Sequence, residues 1–257
     1  MFLRKLTLVA VLTGIAIPAA AGVLREDKSD TDWEILLAPY LWGTSMKGET
    51  AFSPVPPLDL DVGFSDILSN ANFAASLHTE FHRGKWAFVI DPTYISLEVD
   101  DIETPDPSLQ PKADIDIWLV ELWGAYKITA NWELLAGARW QDQDMEIKGL
   151  GGLPVPIPPG PVPDPVKAGD DWLDWFAGVR AIYPLGQKWI LSARGDIVFA
   201  GDSDSSYNLE LFFNRRFGKS MALNLGYRYL KDDYDNLPTY SWDVEQQGPV
   251  VGYTWSF

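Results

Sequence analysis

The 257-residue sequence contains no cysteine, which excludes both a disulfide framework and a thiolate metal site. Histidine is nearly as scarce, since only His78 and His82 occur. If they lie on one strand they are about 13 Å apart, too far to share one ion, so we expect no metal. Basic residues are also few: 20 lysines and arginines stand against 36 aspartates and glutamates, a formal net charge of −16. Such an acidic surface repels phosphate, so we expect no nucleic-acid partner.

Long apolar runs are missing except at the N-terminus. Residues 1–21 contain two basic residues, then a short apolar stretch, then a small-residue pattern that ends at Ala21. This order is typical of a secretory signal peptide. The alternative is a membrane-anchoring helix, but the apolar stretch is too short to span roughly 30 Å of hydrocarbon. We predict that residues 1–21 direct export and are removed, and that residues 22–257 form the mature domain.

Aromatic residues are abundant, with 12 Trp, 10 Tyr and 12 Phe. Aromatic belts at two membrane interfaces would explain this composition, although a soluble β-sandwich rich in aromatics is an alternative that composition leaves open. Beyond residue 31 almost nothing has a helical period, and long segments instead alternate in polarity. These segments predict ten strands, at 33–46, 71–82, 86–99, 114–128, 132–147, 172–184, 188–200, 206–217, 220–231 and 240–257.

The connections between these strands alternate between short and long. Tight turns are predicted at 83–85, 129–131, 185–187 and 218–220, and longer loops at 47–70, 100–113, 148–171, 201–205 and 232–239. Short periplasmic turns and longer external loops are typical of outer-membrane barrels, and an even strand count puts both termini in the periplasm. The predicted fold is all-β: an up-and-down antiparallel transmembrane β-barrel of ten strands.

Charged residues within the predicted strands share a face that large apolar residues avoid. An arginine that faces lipid at mid-bilayer costs about 2–4 kcal/mol, so we predict that these charges point into the lumen. The predicted lumen polar network comprises His78, Glu80, Asp91, Glu121, Lys127, Glu133, Arg139, Arg180, Arg194, Asp196 and Arg228. Glu210 and Arg216 have the same inward phase.

The turns also predict strand registers. A three-residue turn at 129–131 sets Glu121 opposite Arg139 and Lys127 opposite Glu133, which are two pairs of opposite charge. The turn at 83–85 sets His78 opposite Asp91. Two groups of acids depart from the inward phase, Asp114 with Asp116 and Asp243 with Glu245. They lie either above the membrane or before a bulge near Gly248-Pro249, and the sequence leaves both interpretations open.

The C-terminal stretch "VVGYTWSF" alternates between large apolar and small residues and ends in phenylalanine. It resembles the C-terminal signal that the assembly machinery of bacterial outer-membrane barrels recognises. Gly252, Trp255 and Phe257 match that signal, whereas Val250 departs from it because a polar residue is usual there. The resemblance implies the barrel assembly machinery as a partner.

Further segments extend the resemblance over nearly the whole predicted mature chain, in the same order: "LLAPYLWGTSMKGE" (36–49), "VGFSDILSNANF" (62–73), "GKWAFVIDPTYISLE" (84–98), "WELLAGARWQDQDMEI" (132–147), "WFAGVRAIYPL" (175–185), "LGYRYLKDDYD" (225–235) and "QGPVVGYTWSF" (247–257). Together they resemble a proteobacterial family of outer-membrane β-barrel proteins whose activities are mostly uncharacterised. The resemblance implies a ten-stranded barrel in the bacterial outer membrane, in contact with its lipid and lipopolysaccharide. It implies no activity, no cofactor and no site residues.

A proline-rich segment near 149–168 departs from this family pattern. Its composition favours an extended polyproline conformation in an extracellular loop. It is either a spacer or a recognition arm. In the first long loop, Ser65 of "FSDIL" is predicted to cap a short helical turn.

Strand number limits the functions that the lumen allows. Eight strands leave room only for side chains, whereas sixteen to eighteen leave an aqueous channel, so ten strands exclude a general porin. A narrow selective pore is favoured, and a structural or interaction barrel with a plugged lumen is the alternative. A membrane hydrolase is less favoured, because Ser76 and His78 are roughly 6–7 Å apart along one strand, too loose for a nucleophile and its base. We therefore expect no enzymatic activity.

Overall fold

The computed structural model describes residues 32–53, 55–64, 71–99, 111–149, 154–155, 160–161 and 164–257. The predicted signal peptide, the predicted cap residue Ser65 and most of the proline-rich segment lie outside these residues. Within the described ranges, no helix is long and apolar enough to cross a bilayer.

The described residues form strands joined by turns and loops. The strands are β1 (Glu34–Trp42), β2 (Ser45–Phe52), β3 (Val55–Val62), β4 (Ala71–Arg83), β5 (Trp86–Val99), β6 (Lys112–Lys127), β7 (Trp132–Lys148), β8 (Pro154–Val155), β9 (Gly160–Pro161), β10 (Val166–Leu185), β11 (Trp189–Gly201), β12 (Ser205–Phe217), β13 (Met221–Asn236) and β14 (Tyr240–Ser256).

These strands close into an antiparallel barrel. β1 and β2 act as one wall strand, because both pair with β14 in a single register: Leu36 lies opposite Ser256, and Ser45 lies opposite Gln247. β1 also pairs with β4, and the ladder then runs through β5, β6, β7, β10, β11, β12 and β13 to β14. The wall therefore has ten strands, and the predicted fold class is confirmed.

The predicted registers follow from the short turns. Glu121 lies opposite Arg139, and Lys127 lies opposite Glu133, so both predicted pairings are confirmed. The β4–β5 turn pairs Arg83 with Trp86, and the same register sets His78 opposite Asp91, as predicted. Such turns fix register locally, because a slip by one residue would move every side chain to the opposite face.

The first long connection differs from its prediction. Residues predicted as a loop at 47–70 contain most of the β2–β3 hairpin, in which Met46 pairs with Val62 and Thr50 with Leu58. The segment does alternate in polarity, but Pro56 and Pro57 obscure the pattern because proline is rare inside strands. β10 and β13 are also longer than predicted and continue well beyond the barrel belt.

The outer surface carries an apolar belt bounded by aromatic residues. Near the short turns, the ring centroids of Trp86 and Tyr126 lie 4.8 Å apart. Near the long connections, Tyr94 and Trp118 lie 4.7 Å apart. Between these two levels most of the outward residues are aliphatic, as at Leu122, which is half exposed. A bilayer covering this belt would meet apolar side chains between two aromatic girdles.

The two groups of acids that depart from the inward phase lie beyond the belt, on the outer face of the barrel. Asp116 is outward-facing and accepts a hydrogen bond from the Tyr94 hydroxyl at 2.9 Å, at the girdle near the long connections. The β13–β14 ladder runs through Gly248 and Pro249 without a shift. The position above the belt is therefore correct for these acids, and the alternative of a bulge is wrong.

The belt assignment predicts the cost of an outward charge. Leu211 lies on the outer face of β12, midway between Tyr207 and Arg215. Leu211→Arg should lower the free energy of unfolding by about 2–4 kcal/mol, because a guanidinium at the bilayer midplane loses its hydration. Urea unfolding in lipid vesicles measures this. Ser241→Arg, on the outer face at the rim, is the control and should have no measurable effect; equal losses in both variants would contradict the assignment.

Candidate functional site

The centre of the lumen is crossed by a layer of buried ion pairs. The Glu121 carboxylate is fully buried and accepts hydrogen bonds from Arg139 (2.8 Å), Arg194 (3.1 Å) and Arg228 (3.1 Å). These partners come from β7, β11 and β13, so one carboxylate joins strands on different sides of the barrel. Asp196 accepts a further bond from Arg139 at 2.7 Å. We call these five residues the central layer.

Further polar groups add hydrogen bonds to the central layer. The Ser206 hydroxyl accepts a hydrogen bond from Arg139 at 2.9 Å and donates one to Asp232 at 2.6 Å. Asn208 accepts from Arg228 at 3.0 Å and donates to Asp196 at 3.1 Å. The sequence analysis did not include these three residues, although their inward phase on β12 and β13 was available as a signal. Buried charges need such partners, because an unmet lone pair or N–H is costly in a dry site.

Aromatic rings cover the faces of the guanidinium groups. Arg194 lies 4.8 Å from the ring centroid of Trp123, and Arg228 lies 4.8 Å from that of Trp42. Arg139 lies 5.0 Å from the ring centroid of Phe176. Each guanidinium therefore bonds carboxylates in its plane and contacts a π-face above it, which favours a charge that has lost its water. The central layer is packed as well as paired.

A second polar cluster lies nearer the short turns. Arg180 donates to Glu133 at 2.7 Å and to Glu80 at 3.1 Å. His78 lies between two carboxylates, with Nδ1 2.8 Å from Asp91 and Nε2 3.3 Å from Glu80. The His82 Nε2 atom is 2.9 Å from the same Glu80. Both histidines of the sequence thus contact one carboxylate.

The remaining predicted site residues are placed as follows. Lys127 lies opposite Glu133 in the register, at the end of β6 near the short turns. All members of the predicted network occupy inward positions, in one or other of the two clusters or beside them. Ser76 does not contact His78: its hydroxyl accepts a hydrogen bond from Thr93 at 3.0 Å. Both nitrogens of His78 are engaged by carboxylates, so no nucleophile and base are paired here.

The lumen beyond the central layer, toward the long connections, holds a hydrophobic core. The β2–β3 hairpin contributes Leu58 and Leu60 to it, and the barrel wall contributes fully buried side chains such as Trp172 and Trp242. The Trp172 and Tyr234 rings stack at 4.5 Å. We call this core the outer plug. The sequence analysis missed it because the hairpin was predicted as a loop.

On the other side of the central layer, a cavity of about 160 Å³ occupies part of the lumen. Leu36, Ala222 and Thr254 line it near the short turns, and His78 and Arg228 line it at its deep end. Trp123 and its apolar neighbours fill the opposite side of the lumen. The lumen is therefore closed toward the long connections and hollow toward the short turns.

The predicted assembly signal lies at the seam where the chain ends meet. Gly252 is opposite Tyr40, and a Cβ atom at Gly252 would lie 2.7 Å from the Tyr40 Cβ, so the tyrosine needs a glycine here. The Tyr40 hydroxyl in turn donates to Asp91 at 2.8 Å. Trp255 is outward-facing, and the Phe257 N–H donates to the Ile35 carbonyl at 2.9 Å. The residues of the predicted signal thus contribute to the seam that closes the barrel.

Above the belt, the outer wall carries acids opposite one another. Asp144 lies opposite Asp116, and Asp142 neighbours Asp171 on the next strand. Partial burial raises the pKa of Asp142, and the carboxylates of Asp144 and Asp171 raise it further. Like charges on adjacent strands destabilise a sheet while they remain ionised.

The central layer predicts a large loss of stability when one of its arginines is removed. Arg139→Met should lower the free energy of unfolding by about 3–5 kcal/mol, because Glu121 and Asp196 would stay buried with a partner missing. Urea unfolding of the refolded barrel measures this. Lys148→Met removes an exposed partner of Asp114 and should leave the unfolding midpoint unchanged. An unchanged free energy of unfolding in Arg139→Met would show that the central layer does not hold the strands together.

The neighbouring acids on the outer wall predict that removing one of them stabilises the protein in a pH-dependent way. Asp144→Asn should lower the pKa of Asp142 and raise the unfolding temperature at about pH 7. A carboxyl with a raised pKa is a penalty above that pKa, and the penalty disappears as protonation neutralises it. The gain should therefore fade as the pH drops through the raised pKa of Asp142 toward the ordinary aspartate pKa of about 3.9. Asp61→Asn, opposite Lys47, should give no gain; a gain that persists in acid would contradict the prediction.

Comparison with protein-family models and with curated protein sequences finds no match. Among solved structures, the chain is similar in fold to the outer membrane protease OmpT from Escherichia coli, with 11% identity, 87% of this chain and 97% of that chain covered, and a TM-score of 0.44. It is also similar to the attachment invasion locus protein Ail of Yersinia pestis, with 10% identity, coverage of 88% and 99%, and a TM-score of 0.38. For a major outer membrane protein from Thermus thermophilus, the identity is 10%, the coverage 88% and 100%, and the TM-score 0.40.

Proposed function

We propose that this chain is an integral barrel of the bacterial outer membrane with a closed lumen, and that it serves the envelope as a structural or interaction protein. The location is supported by the apolar belt between two aromatic girdles, which suits a bilayer and would be unfavourable in water. The C-terminal strand supports delivery by the barrel assembly machinery. Membership of the proteobacterial barrel family that the sequence resembles is part of this proposal.

The observation that carries the proposal is the presence of two closures in series across the lumen. The central layer joins strands across the barrel through Glu121, Arg139 and their partners, and the outer plug fills the lumen above it. A solute would have to break desolvated ion pairs and also displace a packed apolar core. Either step is costly, since buried charges lose their partners and packed side chains lose their contacts.

A narrow selective pore, which the sequence analysis favoured, ranks second because the central layer and the outer plug both close the lumen. Selectivity by charge requires a ring of charged groups around a wet constriction. Here the charged groups of the central layer bond one another across the lumen, and Glu121 and Arg139 are fully buried. We propose that the interaction surface is the part of the barrel that extends beyond the belt, where β2, β3, β10 and β13 continue beside the acids of the outer wall. Lipopolysaccharide is the envelope component nearest to that wall.

Single-channel recording tests the proposal. The refolded mature chain should give no discrete conductance steps in a planar bilayer, in preparations whose heat-dependent gel mobility shows a closed barrel. A sixteen-stranded porin inserted into the same bilayers is the positive control. Arg139→Ser should also remain silent, because the outer plug is still in place. Reproducible steps from the folded wild-type chain would overturn the closed barrel and restore the narrow pore.

A further inference from the structure

The exposed charges at the two ends of the barrel have opposite signs. At the end of the short turns, the exposed basic side chains are those of Arg83, Lys85, Lys188, Arg215 and Lys219. Among the residues described at that end, the exposed acidic side chain is that of Asp32. At the end of the long connections the exposed charges are mostly acidic, as at Asp144, Asp171 and Asp243. An anionic partner is therefore favoured at the short turns and disfavoured at the opposite end.

Two of these cations contact the aromatic girdle beside the β4–β5 turn. The Arg83 guanidinium lies 5.5 Å from the ring centroid of Trp33. The Lys85 ammonium lies 6.0 Å from the ring centroid of Tyr126. Trp33 precedes β1 and Tyr126 lies on β6, so the two rings are three strand spacings apart in the ladder β1–β4–β5–β6, roughly 14 Å. The two cations are therefore too far apart to share one small ligand.

A third cation, Arg215, contacts two rings of the same girdle. Its guanidinium carbon lies 5.6 Å from the ring centroid of Trp189 and 5.3 Å from that of Phe217. Arg215 lies opposite Trp189 in the β11–β12 register, and Phe217 follows two residues later on the same face of β12. Its neighbour Asn214 lines the cavity in the lumen. Arg215 is therefore on the outer face of the barrel.

We call Arg83, Lys85 and Arg215 the headgroup cations. Their described contacts are with aromatic rings, which attract a cation but do not replace an oxygen acceptor for its N–H groups. Aromatic girdles lie at the level of the lipid headgroups, where phosphate oxygens are available. Charge-assisted bonds from guanidinium or ammonium to phosphate are strong. A phospholipid whose own headgroup carries a cation is already neutralised, so a lipid with net negative charge gains more from these contacts.

We propose that each headgroup cation binds the phosphate of one anionic phospholipid, whose acyl chains lie along the apolar belt. The short-turn end of the barrel would then carry three separate lipid sites, whereas the acidic end would carry none of this kind. The inference goes beyond the closed barrel. It rests on the proposed function only for the orientation, which puts the short turns in the phospholipid leaflet and the acidic wall in the lipopolysaccharide leaflet.

Native mass spectrometry of the refolded mature chain tests the proposal. The chain is released from detergent micelles that contain equal amounts of phosphatidylglycerol and phosphatidylcholine, which both carry a phosphate but differ in net charge. Phosphatidylglycerol adducts should exceed phosphatidylcholine adducts at least about fivefold, the preference expected for one basic residue near an anionic membrane surface. The series should extend to three tightly bound phosphatidylglycerol molecules. Equal binding of the two lipids would overturn the inference.

Single substitutions test the assignment of the sites. Arg215→Gln should shorten the series from three phosphatidylglycerol molecules to two, whereas Arg215→Lys keeps the charge and should retain all three. Lys148→Gln, which removes an exposed cation at the acidic end, is the matched control and should leave the series unchanged. Lys85→Gln, in a turn, repeats the test if Arg215→Gln does not give a heat-modifiable barrel. A series that neither glutamine substitution at a headgroup cation shortens would contradict the assignment.

Inorganic phosphate distinguishes a lipid site from a site for any phosphate. A tenfold excess over phosphatidylglycerol should leave the adduct series unchanged, because inorganic phosphate has no acyl chains to pack on the apolar belt. Displacement of phosphatidylglycerol by inorganic phosphate would overturn the lipid as the ligand.

The leaflet is tested in intact cells, and the absence of cysteine from the sequence makes single labels possible. Gln187→Cys, in the turn between β10 and β11, should not react with a maleimide coupled to a polymer too large to cross the outer membrane. Asp235→Cys, near the end of β13, is the control and should react. Labelling of Gln187→Cys would put the girdle in the outer leaflet and overturn its assignment to phospholipid.

The outcomes separate this inference from the proposed function. Conductance steps together with selective phosphatidylglycerol binding would overturn the closed barrel and leave the lipid sites in place. Silence in the bilayer together with equal binding of the two lipids would support the closed barrel and overturn the lipid sites alone.

Discussion

Glu121 is the residue on which the interior of this barrel depends. A carboxylate removed from water must find opposite charge close by, and here three guanidinium groups from three strands bond to one carboxylate. Because β7, β11 and β13 lie on different sides of the barrel, these bonds tie the walls to one another across the lumen. The outer plug lies on one side of this tie and the cavity on the other. The closed and hollow halves of the lumen are therefore both defined by it.

The strand positions and local registers could be predicted because they depend on short-range rules. Alternation with a period of two identifies a strand and its inward face, and a short turn fixes which residues lie opposite each other. Glu121–Arg139 and Lys127–Glu133 are neighbours across one such turn, and both were found as predicted. The outward acids could also be assigned, once the uninterrupted β13–β14 ladder removed the alternative of a bulge.

The central layer and the outer plug could not be predicted in the same way. Arg194 and Arg228 reach Glu121 across the lumen, and such a contact depends on the curvature and shear of the closed barrel. No local pattern in the sequence contains these quantities. The β2–β3 hairpin was missed because Pro56 and Pro57 interrupt a strand pattern. The cavity follows from which side of the lumen Trp123 fills, a question of side-chain volume that alternation does not address.

The single register shared by β1, β2 and β14 has a consequence for the order of assembly. β2 pairs only with β3 and with the first half of β14 among the described strands, so the hairpin that carries the outer plug is attached to the last strand of the chain. Contacts so distant in sequence form late, because a long loop must close first. The outer plug therefore cannot pack completely until β14 has paired with β2. The lumen is then sealed in the same step that closes the barrel seam. A nascent chain that lacks its final strand would have an open wall and a water-filled lumen.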